Sequence, residues 1–154
     1  MSFFNTMNIS ASGLTAQRLR MDTIAENIAN VNTTRTADGG PYKRKTVIFE
    51  EIRDNDPFSL AFNNLFGNGN SVPAPQGMGV RVVNVVEDDS PGLLRFDPTH
   101  PDADEEGYVR LPNVNIVEEM VNMIAASRSY EANITAMGTA RTMVAKTLEI
   151  GAGR

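Results

Sequence analysis

From Ile116 to Leu148 the side chains of Ile116, Met120, Met123, Tyr130, Ile134, Met137, Val144 and Leu148 follow alternating three- and four-residue steps, broken only at Ser127 and Arg141. Apolar spacing of this kind, sustained this long, fits the pitch of an α-helix and not the two-residue alternation of a strand. The helix is expected to begin near Asn113 or Asn115, whose side chains can accept hydrogen bonds from its first free N–H groups. Glu118 and Glu119 then stand at the positive end of the helix dipole. Its end is expected near Glu149, ahead of Gly151, which makes it about 50 Å long at ~1.5 Å per residue. Val114, Val117, Val121, Ile124, Ala125 and Ala126 widen the apolar surface of the first turns beyond one stripe. One partner helix cannot cover both faces, and the remainder would stay wet in a monomer.

A second stripe lies at the other end of the chain. Met7, Leu14, Met21 and Ile28 recur every seven residues, Ile24 and Val31 fill intermediate positions, and Ala11, Ala25 and Ala29 lie nearby. This predicts an amphipathic, coiled-coil-like helix capped by Ser10 or Ser12. It should end in the cluster Asn27, Asn30, Asn32, Thr33 and Thr34, whose side chains compete for backbone hydrogen bonds.

The region between the stripes is different in kind. Gly39-Gly40-Pro41 signals a turn, and Tyr42 to Ile52 contains the strand-favouring run Thr46, Val47, Ile48, Phe49. From Asp54 to Gly79 turn-formers dominate, which predicts a flexible loop in which Phe58, Phe62 and Phe66 pack locally, with Gly77-Met78-Gly79 as a turn. Val80 to Val86 reads as a strand, with Gly92 to Phe96 as its hairpin partner across the turn Asp88-Asp89-Ser90-Pro91. The predicted fold is therefore mainly α with a small β insert. N- and C-terminal helices (1–33 and 112–154) pack as an antiparallel coiled-coil-like pair, and a short β-hairpin module with loops (34–111, the flexible loop at about 54–79) lies between them.

Composition narrows the function classes. In 154 residues, 41% hydrophobic and 21% charged content is that of a folded chain. A net charge of -5 opposes nucleic-acid binding, and the one basic run, Lys43-Arg44-Lys45, is soon followed by Glu50 and Glu51. No stretch approaches the roughly 20 apolar residues of a transmembrane segment, and Met1 to Thr15 does not read as a cleavable secretory signal. The absence of cysteine removes disulfides, thiolate nucleophiles and Cys-based zinc sites.

Candidate chemistry is weak throughout. Asp102-Ala103-Asp104-Glu105-Glu106-Gly107 imitates the start of a calcium loop, but the twelfth position is Asn113 and Pro101 opposes an entering helix, so an acidic turn is the simpler reading. His100 is the only histidine, which excludes a His-based metal triad and favours a loop-bracing role. An enzyme built on His100 with Asp102 or Asp104 lacks a nucleophile or cofactor motif. Ser127 and Ser129 have no nucleophile elbow around them, and the methionines fit core filling. No catalytic, cofactor or metal residues are assigned. Asn27, Asn30 and Asn133 are unusual inside helices and either fix packing register or face solvent.

At Ser12-Gly13-Leu14-Thr15-Ala16-Gln17-Arg18 and Asn27-Ile28-Ala29-Asn30-Val31-Asn32-Thr33 the chain resembles the N-terminal signature of bacterial flagellar axial proteins. Gly39-Gly40-Pro41-Tyr42, His100-Pro101-Asp102-Ala103-Asp104, Pro112 to Met120 and Ser127-Arg128-Ser129-Tyr130-Glu131-Ala132-Asn133 are similar to the proximal-rod members of that family. The resemblance covers roughly half the chain and leaves out about 55–77. It implies a structural subunit of the basal-body rod, in the periplasmic space, which transmits torque, surrounds an export channel and is exported without a cleavable signal by the flagellar type III apparatus. The implied partners are other rod proteins, the rod-to-ring adaptor and copies of itself. The residues expected at assembly interfaces are Leu14, Met21, Ile24, Asn27, Ile28, Asn30 and Val31 on the first helix. On the second they are Ile116, Met120, Met123, Ile124, Tyr130, Asn133, Ile134, Met137, Val144 and Leu148. A monomeric binding module whose helices close on the β insert is the alternative.

Overall fold

The computed structural model describes residues 3–37, 39–53, 77–151 and 153. Helix α1 spans Phe3–Ala29, strands β1 and β2 span Lys45–Arg53 and Gly77–Glu87, strands β3 and β4 span Leu94–Phe96 and Tyr108–Arg110, and helix α2 spans Ile116–Gly151. Two long helices with a small β insert are the expected architecture. The loop with Phe58, Phe62 and Phe66 falls in 54–76, outside the described residues.

Helix α2 starts where its capping residue dictates. The Asn115 side-chain oxygen accepts the N–H of Val117 at 3.1 Å, satisfying a donor that has no partner within the helix. Helix α1 begins earlier than expected, at Phe3, so Ser10 and Ser12 are not caps. Both lie inside the helix: Ser10 is buried, and the Ser12 hydroxyl donates to the Ile9 carbonyl at 2.7 Å while accepting the Val80 N–H at 3.1 Å. At the other end Asn30 closes the helix, donating from its amide to the Glu26 carbonyl at 2.9 Å and accepting from the Thr33 hydroxyl at 3.1 Å.

Strand pairing differs from the local hairpin that the sequence suggests. Strand β2 pairs antiparallel with β1, from Lys45 opposite Glu87 to Arg53 opposite Gly77. Leu94–Phe96 pairs instead with Tyr108–Arg110. Gly77, Met78 and Gly79 are strand residues and not a turn. Between Asn84 and Val82, which face Ile48 and Phe49, Val83 has no opposite residue, a bulge that increases the local twist.

The β1–β2 ribbon lies along one side of α1, and α2 lies along another. The ribbon comes close because Gly79 (φ 124°) has no side chain: a Cβ there would stand 2.2 Å from the Ser12 hydroxyl. The two helices run antiparallel, with Asn27 against Glu119 and Gly13 against Asn133. Both steps, 13 to 27 and 119 to 133, are fourteen residues, four heptad half-steps, so the contact repeats with the 3.5-residue period of a coiled coil. Extending that register places Phe3 opposite about residue 143, and α2 continues beyond it to Gly151.

Candidate assembly surface and the junction at its root

The residues of α2 that face inward form one heptad series. Glu119, Ala126 and Ala140 are buried, and Met123, Tyr130, Asn133, Met137 and Val144 are half-buried among them at alternating four- and three-residue steps. The other members of the expected stripe lie elsewhere: Ile116, Met120, Ile134 and Leu148 are exposed. The correction has a simple cause. Steps of three and four can follow either the 3.5-residue seam or a neighbouring row of the same helix, and Ile116, Met120 and Ile124 follow the latter.

These outward residues form a continuous surface. Ile116, Val117, Met120, Val121 and Ile124 are all exposed, Val117 to 70%, at positions that share one side of the first two to three turns. Farther along, Arg128, Glu131 and Thr135 occupy the same side, so the apolar face is confined to the root of the helix. A second apolar group, Met143, Leu148 and Ile150, lies at the far end, where α2 outruns α1.

On α1 the large seven-residue series is only partly covered. Leu14, Met21, Ile28 and Val31 are half-buried, as is Asn30, while Ile24 and Asn27 are buried. The tightest closure comes from small and polar side chains: Ser10, Gly13, Ala16 and Thr23. A Cβ on Gly13 would approach the Asn133 amide to 3.1 Å, so α2 comes close at this glycine.

Below the apolar root face is a buried polar junction. Asn27, fully buried, donates to the Glu119 carboxylate at 3.0 Å and the Lys45 carbonyl at 2.9 Å, and accepts from the Tyr42 hydroxyl and the Lys45 N–H, both at 2.9 Å. All its donors and acceptors are used. Glu119, 1% exposed, receives Arg44 on its second oxygen through Nε at 2.9 Å and Nη2 at 2.7 Å. The backbone N–H of Arg44 is taken by the Asn113 side chain at 2.9 Å, whose amide donates to the Asp88 carbonyl at 3.0 Å. The extended strap Tyr42–Lys45 is therefore held by both helices and by the end of β2. Burial lowers the affinity of Arg44 for its proton, but the hydrogen bonds and charge of Glu119 more than offset this, and its pKa is raised. Burial, reinforced by Glu26, Glu87 and Glu119, raises the Tyr42 phenol to about 12.

Of the three asparagines singled out from the sequence, Asn27 is thus a tertiary contact. Asn30 works locally, and Asn133 donates to the Ser129 carbonyl at 2.9 Å while pressing on Gly13. Tyr42, Arg44, Asn113 and Glu119 were not singled out for a role in the fold's interior. Glu119 becomes a signal only once the Met123–Ala126 seam is known, because a carboxylate there requires a partner. The acidic loop is tied into the fold as a turn. Asp102 accepts from the Thr34 hydroxyl at 2.8 Å, its N–H donates to His100 Nδ1 at 3.1 Å, and Asp104 accepts the N–H groups of Glu106 and Tyr108.

Two antiparallel terminal helices, one carrying an uncovered apolar root, around a small β insert define a subunit made for assembly. The sequence comparisons name the class. Residues 7–35 match the family profile for flagella basal body rod proteins, and residues 105–150 match the profile for the C-terminal region of the flagellar basal body rod FlgEFG proteins. The relatives are more specific. The flagellar basal-body rod protein FlgC of Borreliella burgdorferi is 48% identical over 97% of this chain and 98% of its own length. FlgC of Bacillus subtilis is 46% identical over 98% of this chain and 99% of its own, and FlgC of Escherichia coli O157:H7 is 38% identical over the same shares. The chain belongs to the FlgC family of flagellar basal-body rod proteins and is a structural subunit of that rod. No described helix is long and apolar enough to cross a membrane.

Proposed function

We propose that this subunit builds the rod wall by packing the outer face of its C-terminal helix, and the exposed edges of its N-terminal helix, against neighbouring subunits, and that it catalyses no reaction. The observation that carries this reading is the exposed apolar root Ile116, Val117, Met120, Val121 and Ile124, a surface too large and too continuous for a chain that works alone. Ile134 and Leu148 are further exposed apolar positions along α2, separate from the root, while the half-buried Leu14, Met21, Ile28, Val31, Met123, Tyr130, Met137 and Val144 hold the pair together and present their free edges. In this reading segments 1–33 and 112–154 form the tube and segment 34–111 faces outward. The neighbours are copies of the chain, other rod proteins and the adaptor that joins rod to ring. The wall transmits torque and surrounds the export channel. The subunit reaches the periplasm through the flagellar type III apparatus without a cleaved signal.

The test is electron microscopy of basal bodies from a strain lacking this gene, with the complemented strain as control. Loss of the rod with the ring retained is the expected result. A complete rod without the subunit would overturn the reading.

A further inference from the structure

The small sheet β3–β4 has one face turned inward and one left bare. Val109 is fully buried with Arg95 across from it, whereas Leu94, Phe96, Tyr108 and Arg110 share the opposite face, with Leu94 60% and Phe96 63% exposed. The Phe96 and Tyr108 rings meet edge to face, their centroids 5.3 Å apart. Leu94 and Arg110 lead from this face into an open cavity of about 370 Å³ walled by Pro41, Pro91 and Leu111. It lies beside Asn113, where the β insert meets the root of α2. Lys43 at its edge pairs with Asp89, but among the described residues Arg110 has no ion pair.

The far end of α2 carries the matching deficit. Leu148 and Ile150 are 68% and 79% exposed in its last turn, which contains no basic residue. Lys146, one turn earlier, is taken by Glu149 at 2.9 Å. The negative end of the helix dipole is therefore left for an outside cation, and an arginine can also donate to the last carbonyls. Exposed aromatic rings beside an arginine are the composition on which interfaces concentrate their binding energy. We infer that the β3–β4 face and its cavity receive the last turns of the C-terminal helix of the adjoining rod subunit, with Arg110 at that helix's negative end. The inference deepens the wall-building reading above and rests on it.

The occupant cannot be the chain's own helix end, because α2, 36 residues long, puts that end about 50 Å from the cavity beside its start. Contact between two different parts of the molecule is of the kind that stacks subunits without closing on itself. The profile matched by residues 105–150 describes the C-terminal region of other rod proteins, so a helix of this kind is what an adjoining subunit presents. The patch is small for two free molecules and suffices where other contacts already hold the neighbours.

The test is therefore made in the assembled rod. The photo-crosslinking residue p-benzoylphenylalanine takes the place of Phe96 in the full-length chain, basal bodies are isolated after irradiation, and the linked peptide is identified by mass spectrometry. The expected product joins Phe96's position to the C-terminal helix end of another rod subunit. Arg110→Glu should lose that product and Arg110→Lys should keep it; where Arg110→Glu builds no rods, Arg110→Gln decides, with a several-fold lower yield. If the label at position 96 blocks assembly, position 94 takes its place. No product from complete rods, a product with any other peptide, including 54–76 of the same chain, or a yield indifferent to the charge at 110 overturns the inference. Because these outcomes are read in complete rods, they are separate from the question of whether the subunit is needed to build one.

Discussion

Asn27 satisfies two donors and two acceptors inside the protein, and each partner belongs to a different layer: Glu119 on α2, Lys45 at the start of β1, Tyr42 on the strap. Such a residue is costly in a helix by propensity and is retained because the strap backbone has no other way to be satisfied where it crosses the helix pair. Arg44 carries the electrostatic side of the same junction. Arg44→Ala leaves Glu119 buried with only the Asn27 amide beside it, and urea unfolding should show a loss of about 3 kcal/mol, as for breaking one side of a buried pair. An unchanged midpoint would mean that the carboxylate finds another cation. Tyr42 adds a pH dependence of definite sign. Its phenol holds its proton to about pH 12 in the folded chain and to about pH 10 when unfolded, so between those values only the unfolded state releases a proton. Stability is unaffected below pH 10 and falls as pH rises through that window, by roughly 2 kcal/mol. Tyr42→Phe should make this alkaline decline shallower, visible as midpoints that fall less between pH 10 and 11.5, with the remainder coming from Lys43 and Lys45, whose ion pairs with Asp89 and Glu26 raise their pKa values as well.

At the scale of elements, α1 is the piece on which both α2 and the β1–β2 ribbon pack, and small side chains make that possible. Gly13 admits Asn133 on one side and Gly79 brings β2 onto Ser12 on another. Gly13→Ala therefore combines a gain in helix propensity of about 1 kcal/mol with pressure on an amide 3.1 Å away. The single change should be near neutral, and the full gain should appear only in Gly13→Ala/Asn133→Ala compared with Asn133→Ala, as measured by thermal unfolding. Equal effects in both backgrounds would show that the two helices are less close there. How much of this was legible follows from where the information lies. The helices were readable because their signals are local: the Asn115 cap, the Asn30 terminus and the periodic stripes act within a turn or two. The β1–β2 pairing was not, because its partners lie on either side of residues 54–76 and nothing in either strand names the other. Asp88-Asp89-Ser90-Pro91 suggested a hairpin, yet the fold uses it at the junction, where Asp88 donates its N–H to the Arg44 carbonyl at 2.8 Å and accepts from Asn113. Glu119 was hidden for a different reason: an acidic residue in the first turn of a helix is favourable on its own account, so its burial left no anomaly until the seam was known.

For the molecule as a whole, the two faces of α2 make opposite demands, and this separates folding from assembly experimentally. Met123 belongs to the inward series and Val121, two residues away, is 62% exposed on the outward one. A carboxylate at Met123 must be desolvated against α1, which costs several kcal/mol, so Met123→Asp should unfold the helix pair and lose the rod together. A carboxylate at Val121 stays in water in the single chain, and substitutions at such positions usually change stability by no more than about 0.5 kcal/mol. Val121→Asp should therefore keep its circular dichroism and thermal midpoint while rods disappear from isolated basal bodies, because the same carboxylate is dehydrated only when a neighbour arrives. Rods of normal length in that variant would show that the apolar root is not an interface. Loss of the fold in Val121→Asp would show instead that the root is covered from within the chain, since a surface cannot be both wet in the monomer and intolerant of charge there.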